Sequence, residues 1–150
     1  VRALLIVGTP HAGSPLADWV VEQSARRSFW YGFFRYVLRY DFDALKFAPQ
    51  LSPAFLREHA ASFAVRRDVR YASAHAVCRT HCTWVFSVLG AIVPGLEESD
   101  GMVPLSSQAW GEDLGAFDLD HISTVGADAA SRPERQRLLE TFWRFLFGGQ

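Results

Sequence analysis

The sequence predicts an α/β fold in which parallel strands alternate with helices, and three observations support this prediction. The run Ala3–Val7 is apolar throughout and ends at Gly8, as a strand does when both faces of a parallel sheet are covered. A helix start, Ser14-Pro15, follows soon after it. A second strand pattern, the loose alternation over Val69–Val77, comes later in the chain.

The first helix is predicted to run from Pro15 to about Ala25. Ser14 is a good N-cap, and proline suits the first helical position. His11 lies in the loop before this helix, at the end of the sheet where the sites of α/β proteins form. We interpret His11 as a residue that hydrogen-bonds the loop and borders a substrate pocket, rather than as a catalytic group.

The stretch Phe29–Phe42 contains eight aromatic residues among fourteen. Arg35 and Arg39, four residues apart, form one polar stripe on an otherwise apolar helix. Two interpretations stay open: a helix of the core, or a cap that covers an apolar site and offers apolar surface to lipid when open. In the second case the candidate substrate contacts are Trp30, Phe33 and Phe34.

The remaining predicted elements follow from periodicity and from helix start and stop signals. In chain order they are a helix over Ala54–Phe63, the strand Val69–Val77, a helical excursion Trp84–Leu96 that ends at Pro94-Gly95, a short strand Leu114–Leu119, and a final helix. That last helix is predicted to begin at Ser131 in a capping box with Glu134 and to end at Gly148-Gly149.

Composition limits both the class of protein and its partners. The 150 residues suit one compact domain, and 49% of them are hydrophobic, which is ample for a core. The net charge of −1 predicts no nucleic-acid partner, and no apolar run reaches the ~18 residues of a membrane span. Because the sequence opens inside an apolar run without Met, we expect a fragment without a signal peptide. No cofactor is predicted.

The two cysteines, Cys78 and Cys82, lie four residues apart. A metal site would need further ligands at workable spacing, and the sequence offers none. A disulfide across three residues would require a tight, non-helical loop. We therefore expect two packed thiols, and the cellular compartment stays undecided.

A carboxylate and an imidazole are set out like two members of a catalytic triad. Asp100 stands in an Asp-Gly turn, and His121 follows the predicted strand Leu114–Leu119. A hydrolase that activates a serine needs an imidazole to take its proton and a carboxylate to orient that imidazole. The competing acids are Asp113, Asp118 and Asp120, and the histidines without such a context are His59, His75 and His81. No Gly-x-Ser-x-Gly occurs in the sequence.

Two separated motifs resemble one family. Residues 100–107, Asp-Gly-Met-Val-Pro-Leu-Ser-Ser, with Asp-His-Ile at 120–122, resemble the Asp and His segments of bacterial triacylglycerol lipases and related α/β-hydrolase esterases. Residues 7–18, which begin Val-Gly-Thr-Pro-His-Ala-Gly-Ser, resemble the segment that follows the strand after the nucleophile helix. The middle of the chain, from about Val20 to Arg67, matches nothing in the family.

The resemblance implies the C-terminal portion of an α/β-hydrolase, with parallel strands, flanking helices and an aromatic helical cap. Residues 1–150 would form a partial domain, with a cap-like or lid-like insertion at about 20–67. The implied activity is carboxylic-ester hydrolysis of an acyl-lipid or other apolar ester, with contact to a lipid interface. His121 would be the general base and then acid, and Asp100 would orient it. The nucleophilic Ser and the oxyanion donors would come from the missing N-terminal half.

The sequence differs from the family at one group of positions, and two other functions stay open. Relatives that bind structural calcium carry an Asp two residues after the His and a Gln further on. Here Ser123 takes the first position, and Asp128 follows without a Gln, so no metal site of that kind is predicted. The alternative function is a non-catalytic fragment that binds an apolar ligand or a partner protein. A hydrolase of amides or thioesters is a third hypothesis, because triad logic does not separate these bonds.

Overall fold

The computed structural model describes residues 2–26, 28–29, 32, 36, 44–63 and 65–148. The predicted substrate contacts Trp30, Phe33 and Phe34 lie outside this described part. In chain order the elements are β1 (Ala3–Val7), α1 (Pro15–Ala25), α2 (Ala44–Phe47), a 3-10 turn (Ala48–Leu51), α3 (Pro53–His59), β2 (Arg70–Ala76), α4 (Trp84–Ile92), β3 (Glu112–Phe117) and α5 (Arg132–Phe147). Three further 3-10 turns are at Ala60–Ser62, Leu105–Ser107 and Ser123–Val125.

The described strands form one parallel sheet in the order β1-β2-β3. β2 lies in the middle, and its Ala72, Ala74 and Ala76 are wholly buried. The loops that follow all three strands therefore meet at one edge of the sheet, which is where sites of open α/β sheets form. The predicted parallel sheet with flanking helices is confirmed.

β3 begins and ends two residues earlier than the predicted strand Leu114–Leu119, and it carries a bulge. Ser73 pairs with Asp113, yet His75 pairs with Ala116, so β3 holds one extra residue between these pairs. Gly115 at this point has φ +91°, a conformation that glycine adopts without the strain of a Cβ.

The core has two clusters of buried side chains. One joins α1 and α4, and its members are Leu16, Val85, Phe86, Leu89, Val93 and Leu96. The other places α5 against the sheet, with Ala74, Ala76, Phe117, Leu119 and Leu138 buried together. Small alanines on the central strand let the larger side chains of β3 and α5 pack close to it.

Ser14 caps its helix as predicted, Ser52 caps α3 in the same way, and the cap predicted at Ser131 does not form. Each of the first two hydroxyls accepts a hydrogen bond from a backbone N–H in the first turn of its helix. Ser131 instead has helical φ and ψ, and its hydroxyl accepts a hydrogen bond from Arg135. Glu134 accepts the backbone N–H of Asp118. The predicted capping box is wrong because Ser131 lacks the extended backbone that a side-chain cap requires.

The expectation of two free thiols is also wrong, because Cys78 and Cys82 form a disulfide. Their Cα atoms lie 5.1 Å apart, inside the usual range for such a bond. The intervening loop is not helical. The Asp118 carboxylate accepts the backbone N–H groups of Arg79 and Thr80, which holds the loop in a tight bend.

No helix in the described part of the chain has the length and hydropathy of a membrane span.

Candidate active site

Asp100 and His121 meet at the carboxyl edge of the sheet. His121 Nδ1 lies 2.8 Å from Asp100 Oδ2, which is the geometry of a strong, charge-assisted hydrogen bond. The backbone N–H of His121 also donates to the carbonyl oxygen of Asp100, at 2.9 Å. The two loops are therefore joined twice, once through side chains and once through the backbone.

The Asp100 side chain is fixed by its own turn. Its Oδ1 accepts hydrogen bonds from the backbone N–H groups of Met102 (2.9 Å) and Val103 (2.7 Å), so Oδ2 is left for the histidine. The residue is completely buried. Gly101 follows with φ +93°, and a Cβ there would lie only 2.2 Å from Cβ of Phe86. The Asp-Gly pair is therefore a requirement of the close packing as well as of the turn.

The His121 ring is partly open, with 37% of its side chain exposed. The hydrogen bond to Asp100 is the main influence on its pKa and raises it above the ordinary 6.5; burial works in the opposite direction, and the negative charges of Asp100 and Asp120 add to the increase. With Nδ1 directed at Asp100, the other ring nitrogen, Nε2, is the one available to exchange a proton.

Gly8, the residue that follows β1, lies close to this pair. A Cβ on Gly8 would stand 2.9 Å from Asp100 Oδ2 and 3.7 Å from His121 Nδ1. Its φ is +60°, so both the backbone conformation and the space exclude a larger residue. The end of β1 thus lies against the acid and the histidine, and the two sequence motifs converge at this point.

His11 holds the first loop against the segment that follows Asp100. Its backbone N–H donates to the carbonyl oxygen of Ser107 at 2.9 Å, and its ring stacks on Trp110 with 4.9 Å between centroids. Burial lowers the pKa of His11, and its Nε2 is buried without a hydrogen-bond partner among the described residues. The backbone hydrogen bond and the ring stacking attach the first loop to this segment, and the predicted place of His11 at a substrate pocket stays a prediction.

The three competing acids are all engaged elsewhere. Asp120 directs Oδ2 to Thr83 and Oδ1 to the backbone N–H of Ser123, so both of its oxygens have partners other than the histidine ring. Asp113 lies 3.1 Å from Nε2 of His75. Asp118 binds the loop between the cysteines. Among these acids, the structure therefore leaves Asp100 as the partner of His121.

Sequence reasoning missed two contributors to the site. Gly8 was part of a motif, yet its approach to Asp100 is a contact through space that local patterns do not record. The sequence predicts no role for Thr83, although its N–H and hydroxyl both donate to Asp120, at 2.8 and 2.6 Å. The available signal was its position, immediately after Cys82 and before a helix.

Ser123 and Asp128, which follow His121 in the chain, are joined by a hydrogen bond. The Ser123 hydroxyl donates to Asp128, whose other oxygen accepts the N–H of Ser131. These bonds lower the pKa of Asp128 to about 2. No group of three metal-ligating side chains is close enough to hold an ion in the described part of the chain.

Comparison with known proteins yields matches in structure but not in sequence. Neither a family model nor a curated protein matches the sequence. The metagenomic carboxyl esterase MGS0156 superposes on 100% of this chain with a TM-score of 0.69 and 19% identity. The Bacillus licheniformis lipase BlEst2 superposes on 97% of it in both forms, with a TM-score of 0.66 and 20% identity for the mature form and 0.64 and 21% for the propeptide form.

The chain spans only part of these similar structures. It covers 49% of MGS0156, 55% of mature BlEst2 and 30% of the propeptide form. At this level of identity the likeness establishes the fold. The chain has the fold of part of an α/β-hydrolase, as its sequence motifs predict.

Proposed function

We propose that the protein containing this chain is a serine carboxylic-ester hydrolase, an esterase or lipase, in which Asp100 and His121 are two members of the triad. The observation that carries the proposal is the 2.8 Å hydrogen bond between His121 Nδ1 and buried Asp100 Oδ2. The kind of fold supports it, since the similar structures are described as a carboxyl esterase and a lipase.

In the proposed mechanism, His121 Nε2 removes the proton of a serine hydroxyl while the serine oxygen attacks the ester carbonyl carbon. Asp100 keeps the proton of the imidazole on Nδ1 and stabilises the imidazolium that forms. His121 then gives its Nε2 proton to the departing alcohol. A water molecule, activated in the same way, releases the acid and regenerates the serine.

We propose that the nucleophile comes from an N-terminal half of the same protein. The chain contains no Gly-x-Ser-x-Gly, the sharp turn that presents the serine in this fold. Two serines of the chain that could be considered are already engaged. Ser14 donates to the carbonyl oxygen of Met102, and Ser73 accepts the N–H of Trp110.

Fluorophosphonate labelling tests this function. In the longer protein we expect one labelled serine, within a Gly-x-Ser-x-Gly outside residues 1–150, together with hydrolysis of p-nitrophenyl butyrate. The 150-residue chain alone should take no label and hydrolyse no ester above the buffer rate, because it lacks the nucleophile and the oxyanion donors. A label within the chain would contradict the proposed division of the triad.

The same experiment separates the other hypotheses. A longer protein that takes no label and splits no ester, amide or thioester would support the non-catalytic module instead. A protein that takes the label but prefers amides or thioesters would support the proposed triad and replace the ester by another bond as the substrate.

We propose an acyl-lipid or other apolar ester as substrate, with the aromatic stretch Phe29–Phe42 as its cap. The support is the sequence: an insertion at about 20–67 that is rich in aromatic residues, in a chain whose motifs resemble lipases. Trp30→Ser with Phe33→Ser should reduce kcat/KM for long-chain esters more than for short ones, because a cap contacts only the distal acyl chain. Trp143→Ser, at a 66% exposed position in α5 and outside the insertion, is the control. Equal losses on all chain lengths would favour a core helix.

The pH dependence of kcat/KM should report the titration of His121. The base must be neutral to accept the serine proton, and the contact with Asp100 holds the pKa of His121 above 6.5. Activity is therefore expected to be lost as the pH falls through a midpoint above 6.5. A rate profile in the longer protein that declines only at or below that value would contradict His121 as the base.

A further inference from the structure

The loop between β2 and α4, residues 77–83, contacts the supports of both Asp100 and His121. At one end the backbone N–H of Cys78 donates to the carbonyl oxygen of Ser99 at 2.7 Å. At the other end the N–H and hydroxyl of Thr83 donate to Oδ2 of Asp120 at 2.8 and 2.6 Å. Ser99 and Asp120 are the residues immediately before Asp100 and His121, so the loop is attached one residue away from each member of the pair.

Covalent and polar contacts fix the distance between these two attachments. The disulfide joins Cys78 to Cys82. Cys78 makes the hydrogen bond to Ser99, and Cys82 precedes Thr83, which makes the hydrogen bonds to Asp120. Two residues of the loop, Arg79 and Thr80, donate their backbone N–H groups to the carboxylate of Asp118, which follows β3. A loop closed in this way is a short rigid spacer rather than a flexible connection.

The attachment to Asp120 is itself buried and fully engaged. Asp120 is 1% exposed, and its Oδ1 accepts the backbone N–H of Ser123. The Asp120 carboxylate therefore links Thr83, at the end of the loop, to Ser123, which follows His121 in the chain. Since a peptide bond joins Asp120 to His121, a shift of this carboxylate moves the backbone that carries the imidazole.

We propose that the disulfide-closed loop 77–83 positions the acid–histidine pair, with Thr83 as its positioning residue and the Cys78–Cys82 bond as the brace that holds Thr83 in place. The proposal rests on the proposed function for its effect on turnover. Its effect on the geometry of the pair does not depend on hydrolysis.

The first test removes the brace in the longer protein with the double variant Cys78→Ser and Cys82→Ser. A displacement of about 1 Å at a catalytic group can lower a rate by about a hundredfold. We expect kcat for p-nitrophenyl butyrate to fall about tenfold or more, with KM changed by less than about twofold, since the substrate pocket is not altered. Mass spectrometry of the parent and circular dichroism of both proteins confirm the bond and the fold.

The second readout is the pKa of His121, measured by NMR with 15N-labelled histidine. The charged groups that act on this ring are Asp100 and Asp120. A looser contact with Asp100 removes the main cause of the raised pKa, so the variant should titrate at lower pH than the parent. His59, which bonds the carbonyl oxygen of Phe55 in α3, serves as the internal control and should not change.

A third test keeps the disulfide and so remains decisive if the double variant does not fold. Thr83→Val removes the hydroxyl that donates to Asp120, and Thr83→Ser keeps it. The valine variant should lose kcat about fivefold and lower the pKa of His121, and the serine variant should match the parent.

Two results would overturn the proposal. One is a folded double-cysteine variant with parental kcat and parental His121 pKa. The other is a valine variant that equals the serine variant in both measurements. A lowered His121 pKa in a protein without esterase activity would leave the positioning role intact and reject the proposed function alone.

Discussion

Replacing His121 by Ala in the longer protein is expected to reduce kcat/KM for p-nitrophenyl butyrate by about a thousandfold or more. The physical reason is that the serine hydroxyl loses the group that accepts its proton, and the leaving alcohol loses its proton donor. The fold should persist, because the ring is 37% exposed and its removal opens little space in the core. Steady-state kinetics together with a thermal melt measure both quantities.

His59→Ala is the matched control for this variant. It removes the same type of side chain from α3, where the ring stacks on Phe55 with 3.9 Å between centroids. Activity should stay within about twofold of the parent. If His121→Ala retained near-parental turnover, the imidazole would have no part in the mechanism, and the hydrogen bond to Asp100 would be structural only.

Asp100→Asn is expected to lower kcat by about three to four orders of magnitude with little change in KM. An amide is nearly isosteric with the carboxylate, and its oxygen can still accept the N–H groups of Met102 and Val103. Its NH2 group would then face His121 Nδ1. Because Nδ1 would have to accept rather than donate, the ring proton would move to Nε2, where it blocks proton transfer from serine.

Asp113→Asn controls for the loss of a carboxylate beside a histidine, because Asp113 pairs with His75 on the sheet. We expect parental kinetics from that variant. The tautomer can be observed directly from the 15N shifts of His121 in the two proteins. An Asp100→Asn protein with an Nδ1-protonated ring and normal kcat would show that Asp100 is not needed to orient the base.

Sequence reasoning located the elements whose signals are local. The bounds of β1 and α1 follow from an apolar run, a glycine and a Ser-Pro cap, all of which act within a few residues. Asp100 could be distinguished from its competitors for the same reason, since an Asp-Gly turn is a local structure.

The features that escaped prediction depend on contacts between distant residues. The bend that brings the two cysteines together contains hydrogen bonds to Asp118, nearly forty residues away. Ser131 is the exception, because the residues that compete for its polar groups are close in sequence: Asp128 accepts its N–H, and its hydroxyl accepts a hydrogen bond from Arg135. The approach of Gly8 to Asp100 arises only when β1 and the acid turn are brought to one edge of the sheet.

The bulge in β3 makes the number of residues in this strand important for the position of His121, which follows it. Leu114 and Phe117 contact the same cluster as Leu138, although residues three apart in a regular strand face opposite sides. The extra residue at Gly115 exchanges the faces of the strand residues that follow it, Ala116 and Phe117. When sequences are aligned, a one-residue gap usually counts as a small change. Here a one-residue gap between Asp113 and Phe117 would change the geometry more than most single substitutions. It would turn the side chains of the end of β3, the strand that leads to His121, to the opposite faces of the sheet.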